Sequence, residues 1–146
     1  MSDPLSRLVY VSRNLMGGPP ERTRDGLRDI LEVSRRNNAA QGVTGALLFN
    51  RGCFAQVLEG PRAAVERTFE RIQRDLRHGD MALLSFGPVA ERGFPAWSMG
   101  FVGTDAGDRR HWDGLTAESG FDPALLRAEE IYGTLLRGMV EDEAIP

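Results

Sequence analysis

Tyr10 and Gln56 are the two polar side chains whose placement is hardest to explain by packing alone. In LSRLVYVSR, residues 5–13, Leu8, Tyr10 and Ser12 fall on one face of an alternating pattern and Val9 and Val11 on the other. In CFAQVLE, residues 53–59, Phe54, Gln56 and Leu58 share a face, opposite Cys53, Ala55 and Val57. Helices are bulky, so the face bearing Phe54 and Leu58 is expected to lie beneath them. A primary amide in such an apolar layer costs about 1–3 kcal/mol if it is left unpaired. It can donate two hydrogen bonds and accept two, and a neighbouring phenol satisfies only part of that. Two readings stay open: a Tyr10–Gln56 bond that fixes strand register, or hydrogen-bonding capacity kept for a ligand with donors and acceptors at its rim.

Other candidates surround this pair. Asn37 and Asn38 close the first expected helix, where Asn is common because it tolerates left-handed backbone. Two amides there could also read the alternating N–H and C=O groups of a planar heterocycle. Ile30 and Ser34 precede them on the same helical face. Arg71, Asp75 and His78 stand at i, i+4, i+7 on the second expected helix, beside Ile72, and each taken singly reads first as part of an exposed charged stripe. Trp97 and Met99 alternate with Ser98 and Gly100 on the last strand, so both face one way. None of these residues names a chemistry alone. The chain has no G-x-G-x-x-G, no phosphate-binding loop, no persuasive Ser-His-Asp or Cys-His set, and only scattered carboxylates. Its single cysteine, Cys53, excludes an internal disulfide, and without a Cys/His cluster no structural zinc site is expected.

The elements that would position these residues follow from periodicity. After the strand at 5–13, the stretch NLMGGPP (14–20) reads as a loop, and Leu27, Ile30, Leu31 and Ser34 predict a helix from Glu21 to about Asn37. Strands at 43–50 and 53–59 are split by Arg51-Gly52, a hairpin signal. Pro61 suits the first position of a helix, which is expected to run through PRAAVERTFERIQRDLRH with Val65, Phe69, Ile72 and Leu76 as its core stripe. Strands at 81–89 and 96–102 follow. The order β-α-β-β-α-β plus a fifth strand predicts a ferredoxin-like α+β fold, a mixed five-stranded sheet with two helices on one face.

The 146 residues fit one domain with an appendage, 5–102 followed by a helical extension over 103–146. Charge marks the same boundary, with 14 Arg and 11 acidic residues in 1–102 but 4 Arg and 10 acidic residues in 103–146. The Arg residues of the body alternate with acids on the expected helices, so a solvated ion-paired surface is preferred to a nucleic-acid interface. No apolar run is long enough to span a membrane and the N-terminus is no secretory signal, so the cytoplasm is expected. In the extension, 111–118 reads as a short helix. A longer one is expected over 122–140, with Asp122 as N-cap, Pro123 at its first position and a stripe of Leu125, Leu126, Ile131, Leu135, Leu136 and Met139. That stripe must bury against the free face of the sheet or a second chain.

Taken together, RLVYVSR (7–13), ILEVSRRNNAAQGVTGALLFN (30–50), FAQVLEGP (54–61), ERIQRDLRH (70–78) and FPAWSM (94–99) resemble the BLUF family, sensors of blue light using FAD, across about residues 5–102. The resemblance implies a flavin held between the two helices, as FAD, with FMN or riboflavin also accepted. Tyr10 matches the family's photoactive tyrosine, Gln56 its essential glutamine, and Asn38, with Asn37 beside it, the asparagine that reads the pyrimidine edge. Trp97 and Met99 match the switching pair on the fifth strand. Ile30, Ser34, Phe54, Arg71 and Ile72 match pocket-lining positions, as do Asp75 and His78. The implied chemistry is electron transfer from Tyr10 to excited flavin, with the proton following through Gln56. Gln56 is left rotated or tautomerised, with a stronger hydrogen bond to the flavin's C4 carbonyl that red-shifts absorption.

No substrate is turned over, so the chain is read as a sensor and not an enzyme. The 44 residues after the unit are too few for a cyclase or phosphodiesterase, and a short stand-alone protein that signals to a separate partner protein is expected, with a homodimer or higher homo-oligomer formed through the tail helix. Partners on nucleic acid or membrane are not expected. The competing readings are a light-insensitive ferredoxin-like interaction module and a small acylphosphatase-like hydrolase. NLMGGPP disfavours the hydrolase because its prolines remove the amide donors of an anion cradle.

Overall fold

The structure is a computed structural model that describes residues 4–15, 20–50, 53–95, 99–103 and 127–141. Five strands, β1 (Leu5–Asn14), β2 (Thr44–Asn50), β3 (Cys53–Pro61), β4 (His78–Pro88) and β5 (Gly100–Gly103), form one sheet of order β4-β1-β3-β2-β5. Helices α1 (Pro20–Gln41) and α2 (Arg62–Gln73) connect the strands, and α3 (Ala128–Glu141) follows. The β1-β3, β1-β4 and β2-β3 pairs are antiparallel, whereas β2 and β5 run parallel. This is the expected ferredoxin-like arrangement with a fifth strand added at one edge.

Alternation along the strands divides the core into two layers. Leu8, Tyr10, Leu47, Phe54 and Leu58 bury beneath α1 and α2, against Leu27, Leu31, Ala64 and Val65. Val9, Val11, Ala46, Leu48, Ala55 and Val57 face the other way and bury against Phe94 and, from α3, Ile131 and Leu135. Ile131, Leu135 and Leu136 of the expected tail stripe thus pack on the free face of the sheet. From Leu8 to Val11 and from Phe54 to Leu58, successive side chains turn to opposite faces, as a period of two dictates.

Several boundaries differ from expectation. Helix α1 continues past Asn37 and Asn38 to Gln41 and stops at Gly42, whose φ of +71° supplies the left-handed cap. Helix α2 begins after Pro61 and ends at Gln73, well before His78. Asp75 Oδ1 accepts the backbone N–H of Arg77 at 2.9 Å, closing a turn that breaks the helix. Leu76 is therefore 89% exposed and not part of the core stripe. His78 opens β4, paired with Asn14, so Arg71, Asp75 and His78 do not form one helical face. Met99 precedes the β2-β5 ladder, whose first pair is Ala46 and Gly100. Helix α3 starts at Ala128, after a non-helical Arg127. The Arg127 carbonyl receives the Glu130 and Ile131 N–H groups, and Glu129 and Glu130 favour a helix start there. Residues 111–118, Asp122, Pro123 and Trp97 lie outside the described residues, as does the 51–52 link of the hairpin.

A buried carboxylate ties the second layer together. Glu59 accepts from Arg7 Nε at 2.6 Å, from the Gly93 N–H at 3.0 Å and from the Phe94 N–H at 2.9 Å. The Arg7 guanidinium lies 4.0 Å from the centre of the Tyr132 ring and donates to its hydroxyl at 3.1 Å. Phe94 meets the same ring edge-on at 5.7 Å. A Cβ on Gly93 would overlap the Tyr132 hydroxyl, so only glycine lets α3 sit this close.

Glu59→Gln leaves Arg7 without its counter-charge and should lower the unfolding free energy by about 3 kcal/mol in urea denaturation. Gly93→Ala should speed amide hydrogen exchange in α3 while exchange in β1 and β3 stays slow.

Candidate functional site

A cleft enclosing about 650 Å³ of space, part of it open to solvent, lies between α1, α2 and the sheet. Its floor is set by strand register. Tyr10 and Gln56 are directly opposed across β1 and β3, and both are buried. The pairing of β1 with β4 shifts between Val9 and Tyr10, an irregularity of the kind that aims side chains at sites. The Tyr10 hydroxyl donates to Gln56 Oε1. Gln56 Nε2 donates to Met99 Sδ at 3.2 Å. These two bonds leave one amide N–H and one oxygen lone pair of Gln56 with no partner among the described residues.

Aromatic packing holds the phenol. The Tyr10 ring is tilted against Phe69 at 5.4 Å and edge-on to His78 at 6.3 Å. Phe54 meets the His78 ring at 6.0 Å and 90°. His78 is held by both nitrogens: Nε2 lies 2.7 Å from the Ile72 carbonyl and Nδ1 2.7 Å from the Ser12 hydroxyl. The carbonyl can only accept, so Nε2 carries the proton.

One end of the cleft is closed by charge. Arg77 Nε lies 2.9 Å from Asp75 Oδ1 and its Nη2 2.6 Å from Oδ2, while Nη1 reaches Asp29 Oδ2 of α1 at 2.9 Å. The hydrogen bonds from Arg77 hold the Asp75 carboxyl below its usual range against the opposing effect of burial. The same pairing raises the Arg77 guanidinium. Burial pushes the Tyr10 phenol far above its usual value, and the Asp75 charge adds to that. Tyr10 is therefore a neutral phenol at ordinary pH.

The cleft brings together Tyr10, Ile30, Ser34, Asn37, Asn38, Phe54, Gln56, Arg71, Ile72, Asp75 and His78, eleven of the residues singled out in the sequence. Met99 meets Gln56 from beside the cleft, and Trp97 lies outside the described residues. Val33, Leu47, Thr68 and Arg77 also line it and were not anticipated. Leu47 had a usable signal, the face of β2 opposite Gln56. Arg77 had none, because its position depends on where α2 ends.

The donor set fits the flavin that the resemblance implies. Apolar walls from Ile30, Phe54 and Ile72 suit a flat ring. The amides of Asn37, Asn38 and Gln56 suit an edge that alternates N–H and C=O, and Arg71 offers a cation.

Comparison with known proteins agrees. The family model for sensors of blue light using FAD matches residues 5–100. The beta subunit of photoactivated adenylate cyclase from Euglena gracilis is 36% identical over 96 residues, 65% of this chain and 11% of that one. The chain thus spans about a tenth of the length of the curated relatives it matches. BlsA in its photo-activated state superposes with a TM-score of 0.79 at 30% identity, covering 97% of this chain and 99% of that chain. BlrB, a BLUF protein in its dark state, gives 0.74 at 30% identity over 94% and 98%. A bacterial light-regulated adenylyl cyclase gives 0.62 at 32% identity, over 68% of this chain and 28% of that one. No helix among the described residues is long and apolar enough to cross a membrane. A family model matched over about two thirds of the chain and this likeness of fold show that the chain belongs to the BLUF family of flavin-binding blue-light sensors.

Proposed function

We propose that Tyr10 and Gln56 are the photochemical pair of this sensor and that α3 carries its output to a separate signalling protein. The direct hydrogen bond from the Tyr10 hydroxyl to Gln56 Oε1 on the cleft floor carries the proposal. FAD is the proposed form of the flavin, with FMN and riboflavin also accepted, because the cleft residues suit the ring and no dinucleotide fingerprint is present in the sequence.

Bound flavin supplies a strong oxidant when excited by blue light. Tyr10 gives up an electron and releases its proton along the existing hydrogen bond to Gln56. Electron and proton then return to Tyr10, so no net oxidation remains. What persists is Gln56 in a rotated or tautomeric form, a local element with two stable arrangements. Its donor and acceptor atoms then face Tyr10, Met99 and the cleft differently. Asn38, with Asn37, anchors the ring edge. Ser34, Ile30, Phe54 and Ile72 shape the walls, and Arg71, Asp75 and His78 complete the rim.

The route to α3 runs through β3, whose Glu59 holds the Gly93 and Phe94 amides against Tyr132. Likeness over nearly the whole BlsA chain supports reading α3 as part of the sensor. Self-association through α3 into a homodimer or larger homo-oligomer belongs to the same proposal. So does action as a sensor module without catalysis of its own, in the cytoplasm, without nucleic-acid or membrane partners.

Absorption spectra of the purified chain before and after blue light should show a flavin spectrum that shifts reversibly to the red. A colourless protein that cannot be reconstituted would sink the proposal, and bound flavin without a shift would favour a light-insensitive interaction module. Tyr10→Phe and Gln56→Leu should each retain flavin and lose the shift. Asn38→Ala should instead weaken flavin binding about ten-fold in a fluorescence titration, the loss of roughly one good hydrogen bond.

A further inference from the structure

Met99 accepts two hydrogen bonds from two different parts of the fold. Its Sδ receives Gln56 Nε2 at 3.2 Å, and its backbone carbonyl receives Arg35 Nε at 2.9 Å. The sulfur contact is a poor anchor by itself, since a thioether is a weak acceptor at the end of a flexible side chain. Met99 stands at the very start of this edge, one residue before the ladder of β5 on β2, whose first pair is Ala46 and Gly100. The bond from Arg35 is charge-assisted and comes from a planar guanidinium with its donors in fixed directions.

Arg35 belongs to α1, between Ser34 and Asn38, which both line the cleft. It is not among the cleft-lining residues itself. The helix that shapes the cleft thus also grips the backbone of the residue whose sulfur faces the reactive amide. A displacement of Met99 would remove the partner that occupies one N–H of a buried primary amide, and the amide would gain freedom to turn.

We propose that Arg35 is a positioning residue: by holding the Met99 carbonyl it keeps the Met99 sulfur within reach of Gln56, and so sets how long the rearranged amide persists after light. This rests on the photochemical reading above. The sequence carries no sign of it, because Arg35 sits among the arginines of α1 and resembles any solvated helix charge.

Two readouts on the full chain test it, with Arg35→Gln and Arg35→Lys. The first uses flavin-free protein with 13C-methyl-labelled methionine. The chain has 5 methionines, and Met99→Leu assigns the signal that matters. Arg35→Gln should move or broaden the Met99 methyl resonance and speed amide exchange over residues 99–103, and Arg35→Lys, which restores a charged donor, should reverse much of this. The second readout follows the thermal decay of the red-shifted absorption in flavin-loaded protein. Arg35→Gln should change that rate by about three-fold or more, with flavin affinity held within about two-fold of wild type. An unchanged Met99 methyl signal, or a decay rate altered by less than about three-fold, overturns the assignment. A flavin-loaded wild-type protein with no reversible red shift overturns the photochemical reading and with it the claim about lifetime; an unchanged methyl signal alone overturns only the Arg35–Met99 tie.

Discussion

A primary amide buried beneath two helices is the constraint on which the rest of this structure depends. Gln56 is 3% exposed, and a group of that kind must find partners or cost about 1–3 kcal/mol for each bond left unmade. The register of β1 against β3 gives it the Tyr10 hydroxyl, and the approach to β5 gives it the Met99 sulfur. A slip of one residue between β1 and β3 would set Val9 or Val11 opposite Gln56 and turn Tyr10 to the other face of the sheet. The Tyr10–Gln56 hydrogen bond therefore also marks the correct pairing of the strands. The register and ligand readings of Gln56 are compatible: one part of its capacity fixes the sheet, and the other faces the cleft.

β3 serves two layers at once. Its even positions, Phe54, Gln56 and Leu58, face α1 and α2, with Phe54 and Gln56 lining the cleft, while Val57 and Glu59 look toward the layer that holds α3. The chain from Gly93 to Met99 is tied to this one strand at both ends, to Glu59 by two backbone amides and to Gln56 by a sulfur. The two attachment points are three residues apart on a strand buried on both faces. A change at the cleft floor is thereby close, through a stiff element, to the turn on which Tyr132 rests.

Much of this was legible before any coordinates. Alternation in 5–13 and 53–59 placed Tyr10 and Gln56 on the covered face, because a strand's period of two leaves no freedom in which side chains share a surface. Ile30, Ser34 and Asn38 were legible for the analogous reason on a helix. The errors cluster where a helix ends. The stretch from Arg74 to His78 continues a plausible helical pattern, and only the capture of the Arg77 amide by Asp75 stops it. Leu76 continues the apolar stripe of that pattern, yet the turn leaves it exposed. Arg77 escaped notice because an arginine among arginines carries no local mark of bridging Asp75 to Asp29 across the cleft.

Local patterning by itself determined the order of strands and helices through β5, the two faces of β1 and β3, and the burial of a phenol and an amide on one of those faces. These depend on side-chain periodicity and on the cost of burying polar groups, which are properties of short stretches of chain. The tertiary structure decided what periodicity cannot encode. It brought Asp75, Arg77 and His78 to one rim from a turn and a strand. It laid α3 over the sheet face opposite the cleft, in a seat that the missing Cβ of Gly93 leaves open. It joined Arg35 to Met99 across 64 residues of sequence. Each of these is a contact between segments far apart in the chain, whose energy exists only once the sheet has set them side by side.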